Sequence, residues 1–435
     1  MIVMKFGGTS VGTPERIKSV VNLVNDDNPK IVVLSAMSGT TNTLVKISEL
    51  FYSENKDATT EIDRLEDKYK IVVDKLYETE KYKDKGKDLI KERFDLLRSF
   101  SDKAFNAVAE CTILAQGELL STALTQLYCE ETGINSAILS ALNFMRIDRN
   151  GEPDSFYIKE QICRELKACP EIKLFITQGF ICRDASGEIS NLKRGGSDYS
   201  ASLIGKAINA EEIQIWTDID GFHNNDPRFV NNTTAIRELS FDEAAELAYF
   251  GAKILHPASV WPAQEANIPV LLKNTMEPKA PGTIISSKTK EEGIKAIAAK
   301  DDITVIKIKS GRMLMAYGFL RKVFEVFENF QTPIDMITTS EIAVSLTIDN
   351  TTHLDRIVQE LRLYGNVEID RNMTIICIVG NNIMHSKDSV SKVFQALDKV
   401  SVRMVSYGGS RHNISILTDS EHKTEALNQL SKYLF

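Results

Sequence analysis

The chain has 435 residues, more than one ordinary hydrophobic core serves, so two or three domains are expected. Apolar residues make up 43% and charged residues 26%, which excludes a disordered or fibrous chain. A formal net charge of −8 excludes a general nucleic-acid binder, which needs a basic face to displace counterions.

No stretch approaches the roughly 18 apolar residues of a membrane span, and Met1 to Phe6 carries no basic region before a signal core. A cytoplasmic protein with no membrane or nucleic-acid partner is expected. Cys111, Cys129, Cys163, Cys169, Cys182 and Cys377 show no C-x-x-C spacing and no His at metal-ligand distance, so they read as buried free thiols.

Ile2 to Phe6 and Ile31 to Ala36 are β-rich runs, and between them Ile17, Val20, Val21 and Val24 recur at helical spacing. Thr13 and Pro14 supply an N-cap and a preset first helical residue. Strand, glycine loop, helix and strand in this order open an α/β domain with a parallel sheet. From Asn55 to Glu110 the chain is rich in Lys, Glu and Asp, with apolar residues at helical spacing, and reads as solvated helices. Ile172 to Ile176, Ile213 to Trp216 and Ile268 to Leu272 are further strands, the last after the helical stretch Phe241 to Phe250. The alternation predicts a three-layer α/β/α domain ending near residue 290, followed by a linker over Ser286 to Lys295.

Beyond the linker two segments align at an offset of 70 residues: Lys322-Val323-Phe324 with Lys392-Val393-Phe394, Ser340 with Ser410, and Asp349 with Asp419. Val344 and Leu346 match Ile414 and Ile416 in the same frame. Each copy reads as a helix followed by two strands, which makes paired small α/β modules.

Lys5-Phe6-Gly7-Gly8-Thr9-Ser10 follows the first strand, where two glycines let backbone N–H groups approach an anion beside a lysine. It lacks the Lys-Ser/Thr ending of a P-loop, and spacing alone reads it equally as an ordinary strand-to-helix turn. Lys193-Arg194-Gly195-Gly196-Ser197-Asp198 is a second basic glycine loop, leading into the helical stretch Tyr199 to Ile208. A Ser197 or Asp198 N-cap accounts for part of it but not for Arg194 and both glycines. Glu118, amid apolar and small neighbours, taken alone reads as an exposed helix residue. Trp216-Thr217-Asp218 ends a strand and runs on to Asp226-Pro227-Arg228, and strand ends are where α/β sheets bind ligands. Lys253 lies in Gly251 to Pro257, with His256 read as structural.

These segments, in this order, resemble the aspartate kinases of the amino acid kinase family over essentially the whole chain. The resemblance implies a three-layer carbamate kinase-like domain at 1–290 and two ferredoxin-like ACT domains at 291–370 and 371–435, intertwined. It implies ATP with Mg²⁺ as cofactor and L-aspartate as substrate, phosphorylated on its side-chain carboxylate. Lys5, Asp198 and Lys253 match catalytic positions. Lys5, Phe6, Gly7, Gly8, Thr217, Asp218, His223, Arg228, Lys253 and Ile254 match the ATP site, His223 standing where the family commonly has Tyr. Ser35, Thr41, Glu118, Phe180, Arg194, Gly195, Gly196 and Ser197 match the aspartate site, with no metal held by the protein.

In the ACT modules Met313, Ala316, Gly318, Phe319, Leu320, Ile334, Asp335, Ser340 and Glu341 match effector positions of the lysine-sensitive kind, although Ala316 replaces the usual Ser and keeps threonine as the alternative effector. The family implies a homodimer or dimer of dimers through these modules, and the end at Phe435 is read as a monofunctional enzyme. A sister kinase acting on another carboxylate, or an amino-acid sensor without activity, are the competing readings.

Overall fold

The structure is a computed structural model that describes residues 1–53, 57–101, 104–192, 195–251, 255–287, 289, 292–311, 317–386 and 388–435. It divides into two units, one of Met1–Gly221, Arg237–Phe241 and Leu255–Ser287, the other of Phe222–Ile236, Asp242–Ile254 and Lys288–Phe435.

The first unit opens with β1 (Ile2–Phe6), α1 (Pro14–Val24) and β2 (Lys30–Leu34). Thr13 caps α1 as its sequence predicts, its hydroxyl accepting from Arg16 N at 3.3 Å, with Pro14 in the first turn. The helices α2 (Thr40–Tyr52), α3 (Asp57–Leu76), α4 (Glu80–Arg98) and α5 (Ala107–Glu131) follow, then β3 (Ser136–Leu139), α6 (Ala141–Phe144), α7 (Ser155–Ala168) and β4 (Leu174–Gln178). A hairpin of β5 (Ile181–Arg183) and β6 (Ile189–Asn191) precedes α8 (Gly196–Ile208) and β7 (Ile213–Thr217). The unit closes with β8 (Glu238–Ser240), which runs into α9 (Phe241–Tyr249), and then α10 (Pro257–Glu265), β9 (Val270–Asn274) and β10 (Thr283–Ser286). β4 and β9 each begin two residues later than the apolar runs indicate.

Eight strands form one sheet in the order β3-β4-β2-β1-β7-β9-β10-β8, parallel except where β10 meets β9. All five residues of β2 are buried, as expected of a central parallel strand covered on both faces. Met4, Phe6, Val32 and Leu34 join one core with Ile17, Val21, Ile113 and Leu124 of α1 and α5. Because strand side chains alternate, Val3 and Lys5 point to the opposite face, where α8 packs on β1, β2 and β7 with α7 and α10 against it. The unit is therefore α/β/α in three layers.

The second unit, apart from its share of α9, contains β11 (Gly293–Lys309), α11 (Phe319–Asn329), β12 (Ile337–Thr339), β13 (Ala343–Ile348), α12 (Leu354–Leu361), β14 (Asn366–Asn381), α13 (Ser389–Ala396), β15 (Met404–Tyr407), β16 (Asn413–Asp419) and α14 (Lys423–Leu434). Its six strands order as β12-β13-β11-β14-β16-β15, all antiparallel. The 70-residue offset maps β13 onto β16, and Val323 and Val393 fill equivalent places in α11 and α13. Two separate cores result, one around Ile306, Val323 and Leu346, the other around Ile376, Val393 and Ile416.

The sequence reading missed the two long strands. β11 and β14 pair along their length with register breaks between Lys300 and Val305, where Asp302 takes a left-handed φ of 60°. Residues 293–300 serve the second core and 303–309 the first. Strand β11 begins at Gly293, inside the span expected to be linker. Of the six free cysteines only Cys129, Cys182 and Cys377 are buried; Cys111, Cys163 and Cys169 are half-buried, which corrects the expectation for those three.

Candidate active site

Parallel register brings the ends of four strands level: Phe6 of β1 stands beside Leu34 of β2 and Trp216 of β7, and Leu34 beside Gln178 of β4. The turns that follow are stitched by backbone bonds, Gly7 N to Trp216 O at 3.2 Å, Ser35 N to Phe6 O at 3.2 Å, Ser38 N to Gly8 O at 3.1 Å and Gly179 N to Leu34 O at 2.9 Å. Gly7-Gly8, Ser35, Gly179-Phe180 and Thr217-Asp218 thus share the carboxyl edge of the sheet, the usual ligand edge of such folds. A Cβ on Gly8 would stand 2.8 Å from the Ala36 carbonyl oxygen, so this close backbone approach admits only glycine.

Lys5 reaches from β1 to the first turn of α8, where its Nζ lies 2.6 Å from Asp198 Oδ1. Helix α8 starts from Gly195, held left-handed at φ 67° with its Cα against Ser259, and presents Asp198 of its first turn to the lysine. Ser35 Oγ donates to Ser197 Oγ at 2.9 Å, and Gly179 is packed so tightly on Ser197 that a Cβ would lie 2.3 Å from that residue's Cβ. Phe180 is held at φ 65°, its N–H donating to Ser200 Oγ at 2.8 Å, a strained backbone beside the same helix end. The fold therefore assembles Lys5, Gly7, Gly8, Ser35, Phe180, Gly195, Gly196, Ser197 and Asp198 in one region.

Glu118 joins them from α5, and the reading of its pattern alone as an exposed helix residue is overturned. It is 4% exposed, because Gly117 lets α5 lie against Ala36, where a Cβ would come within 2.7 Å of the Ala36 methyl. Its Oε1 accepts from Ala36 N at 3.1 Å, while Oε2 is buried without a hydrogen-bond partner among the described residues. Burial pushes its carboxyl up to about 7, against the opposing pull of the Ala36 N–H. A buried carboxylate oxygen left unpaired is an acceptor waiting for a cation. Thr41 stands in the first turn of α2, next to Thr40, whose hydroxyl is 3.0 Å from the buried Tyr69 hydroxyl. Tyr69 was not singled out in the sequence, since a tyrosine on a charged helix carries no signal of its partner.

The other expected residues are placed differently. Thr217 Oγ1 donates to Asp218 Oδ1 at 3.2 Å at the end of β7, whereas His223 and Arg228 belong to the second unit. His223 Nδ1 lies 3.1 Å from Thr233 Oγ1. Arg228 is clasped by Asp226, with Nε to Oδ1 at 3.0 Å and Nη2 to Oδ2 at 2.6 Å. Lys253, Ile254, Arg194, Met313 and Ala316 lie outside the described residues. His256 is structural as expected, its ring nitrogen capping α10 by accepting from Ala258 N.

Of the effector set, Gly318 takes a φ of 82° to start α11 at Phe319-Leu320, and Ser340 turns the β12–β13 hairpin by accepting from Ala343 N at 3.1 Å. Ile334 packs on the first module's core and Glu341 is exposed. The Asp335 side chain is buried and already holds an ammonium group, that of Lys300, at 2.7 Å. Among the described residues no group of three or more His, Cys, Asp or Glu is placed to hold a metal ion, and no helix is long and apolar enough to cross a membrane.

The Amino acid kinase family profile matches residues 1–274, and the ACT domain profile matches residues 376–434. Lysine-sensitive aspartokinase 3 of Escherichia coli (strain K12) is 33% identical over 448 residues, spanning 100% of this chain and 99% of the relative. The chain belongs to the aspartokinases of the amino acid kinase family. The structure of E. coli aspartokinase III in complex with aspartate and ADP (R-state) matches this aspartokinase chain with a TM-score of 0.86 at 31% identity, over 100% of both chains. Its complex with lysine and aspartate (T-state) matches with a TM-score of 0.83 at 32% identity, over 100% of this chain and 99% of the other.

Proposed function

We propose that the chain transfers the γ-phosphoryl group of ATP to the side-chain carboxylate of L-aspartate, giving 4-phospho-L-aspartate and ADP in the cytoplasm, the first step toward lysine, threonine and methionine. The observation that carries this reading is the Lys5–Asp198 pair, set between the glycine turn after β1 and the start of α8. The E. coli relative solved with aspartate and ADP supports it.

In this reading the glycine turn of Gly7 and Gly8 lets the phosphates come close to the backbone and Lys5 neutralises the transferred group, held in place by Asp198. Thr217 and Asp218 flank the nucleotide. Glu118 takes the substrate ammonium on its unpaired oxygen, Arg194 pairs with the α-carboxylate, and Ser35, Thr41, Phe180, Gly195, Gly196 and Ser197 shape the rest of the aspartate site. The substrate carboxylate is already ionised at neutral pH, so no general base is needed. Its oxygen bonds to the γ-phosphorus as the bond to the β,γ-bridging oxygen breaks, and ADP leaves with that electron pair. Catalysis is then alignment and charge neutralisation. Mg²⁺ belongs to the nucleotide here, a hard cation kept by phosphate oxygens and water.

The same reading makes the second unit a pair of ACT modules that bind an inhibitory amino acid, lysine, through Asp335 and its neighbours. The lysine-bound T-state of the E. coli relative supports this. The modules carry a homodimer, and α11 with the β12–β13 hairpin leaves Leu320, Phe324, Ile337 and Ile342 exposed for it. ADP release coupled to NADH oxidation tests the activity: it is expected to require aspartate, to ignore glutamate and to fall when lysine is added. ADP release that is indifferent to aspartate contradicts it.

A further inference from the structure

The loop between β2 and α2 touches several parts of the site at once. Ser35 Oγ donates to Ser197 Oγ at 2.9 Å, Ala36 N donates to Glu118 Oε1 at 3.1 Å, and Ser38 N donates to Gly8 O at 3.1 Å. The loop turns through Gly39, at a left-handed φ of 80°, and enters α2 at Thr40 and Thr41. Ser38 and Gly39 are exposed, and an exposed turn of this kind moves unless something outside it holds it.

Helix α3 supplies the hold. Two consecutive residues reach the two sides of the turn: Lys68 Nζ donates to Ser38 O at 3.0 Å, and the Tyr69 hydroxyl lies 3.0 Å from Thr40 Oγ1. Successive residues of a helix point about 100° apart, so a single turn of α3 can straddle the loop. Tyr69 is fully buried with its ring centre 6.0 Å from that of Phe94 in α4. Helix α4 also grips α3 through Arg98, which pairs with Asp63 at 2.6 Å and with Glu66. Burial pushes the Tyr69 hydroxyl far above the ordinary tyrosine value, the bond to Thr40 opposing this and the charge of Glu118 adding to it, so the group stays protonated through the neutral range.

We propose that Lys68 and Tyr69 are positioning residues for the phosphoryl transfer, Lys68 holding the Ser38 side of the loop against the glycine turn and so tuning ATP, Tyr69 holding the start of α2 and so tuning aspartate. The inference rests on the reading of Gly8 as part of the nucleotide site and of Glu118 and Thr41 as part of the aspartate site. Neither residue of α3 touches a substrate. Tyr69 acts through Thr40, which keeps Thr41 in place and the Ala36 N–H on Glu118 Oε1, leaving Oε2 for the substrate ammonium. Lys68 acts through the carbonyl of Ser38, whose own N–H is bonded to Gly8.

The test is steady-state kinetics of the full-length protein by ADP release, with each substrate varied in turn. Tyr69→Phe keeps the ring against Phe94 and removes only the hydroxyl. It is expected to raise KM for aspartate about fivefold, the loss of one buried hydrogen bond, with kcat and KM for ATP within about twofold of the parent. Thr40→Val breaks the same bond from the other side and is expected to repeat the shift. Lys68→Met is expected to raise KM for ATP by about threefold or more and to leave KM for aspartate within about twofold, while Lys68→Arg, which can still donate to Ser38 O, restores the parent value. In a Glu118→Gln background Tyr69→Phe is expected to add less than about twofold, because the contact it positions is already lost, whereas a general loosening of the fold adds in full. KM values equal to the parent's in Tyr69→Phe and Lys68→Met overturn the inference, as does a fall in kcat alone or a Tyr69→Phe effect undiminished beside Glu118→Gln. A parent whose ADP release is indifferent to aspartate overturns instead the reading on which the inference rests.

Discussion

Lys5 Nζ and Asp198 Oδ1 are 2.6 Å apart, which ties the last turnward side chain of β1 to the first turn of α8. Both side chains are mostly buried, so the pair is shielded from water and salt far better than a surface bridge. If Lys5 meets the transferred phosphoryl group and Asp198 positions it, Lys5→Met lowers kcat by about 10²-fold or more, with Asp198→Asn close behind. Steady-state kinetics check this, and a change confined to KM for ATP with kcat intact contradicts a role in the transition state.

Glu118 gives a prediction with a sign. Its carboxyl is raised from 4.5 to about 7 by burial, so the empty protein binds a proton there more tightly than the unfolded chain does. Between those two values the native state holds the extra proton, its stabilising effect is complete at low pH, and stability falls as pH rises toward 7. Aspartate needs the ionised form, so kcat/KM for aspartate rises as pH passes through about 7. Glu118→Gln is expected to remove both slopes and to raise KM for aspartate by about tenfold or more. A pH profile unchanged in that variant assigns the slope to another group.

Lys295 and Glu243 make a second buried pair, Nζ to Oε2 at 3.0 Å with both side chains almost fully enclosed in the second unit. Glu243→Ala takes away the counter-charge that Lys295 meets at 3.0 Å and is expected to destabilise the protein by more than about 1 kcal/mol, while replacing both with apolar residues of similar size restores most of it. Urea unfolding of the single and double variants measures this, and a loss below about 1 kcal/mol in the single variant marks the pair as solvated.

The exposed apolar side chains of α11 and the β12–β13 hairpin predict self-association. Leu320→Asp with Phe324→Asp is expected to move the sedimenting species from dimer to monomer mass. A dimer that survives this double change places its interface elsewhere.

The order of motifs made much of this legible. Thr13-Pro14 announces α1 because capping chemistry is local, and the two glycine loops announce close backbone approach because only glycine tolerates it. The 70-residue offset marked the paired modules because each copy must fill the same places in its core. Glu118 was illegible from periodicity, since α5 is apolar and small nearly all round and offers no polar stripe to compare it with. The lengths of β11 and β14 were hidden by the register break near Lys300, which interrupts the alternation. Lys300 and Asp335 are 35 residues apart, and nothing local to either says that they meet.

The central claim is phosphoryl transfer to the aspartate side chain, and trapping the acyl phosphate with hydroxylamine tests it most directly. Purified protein with ATP and Mg²⁺ is incubated with aspartate or glutamate, and the hydroxamate is quantified and its regiochemistry read by mass spectrometry. The account predicts aspartate β-hydroxamate, none from glutamate, and loss of product in Lys5→Met. No hydroxamate from aspartate under conditions where the protein binds ATP contradicts it.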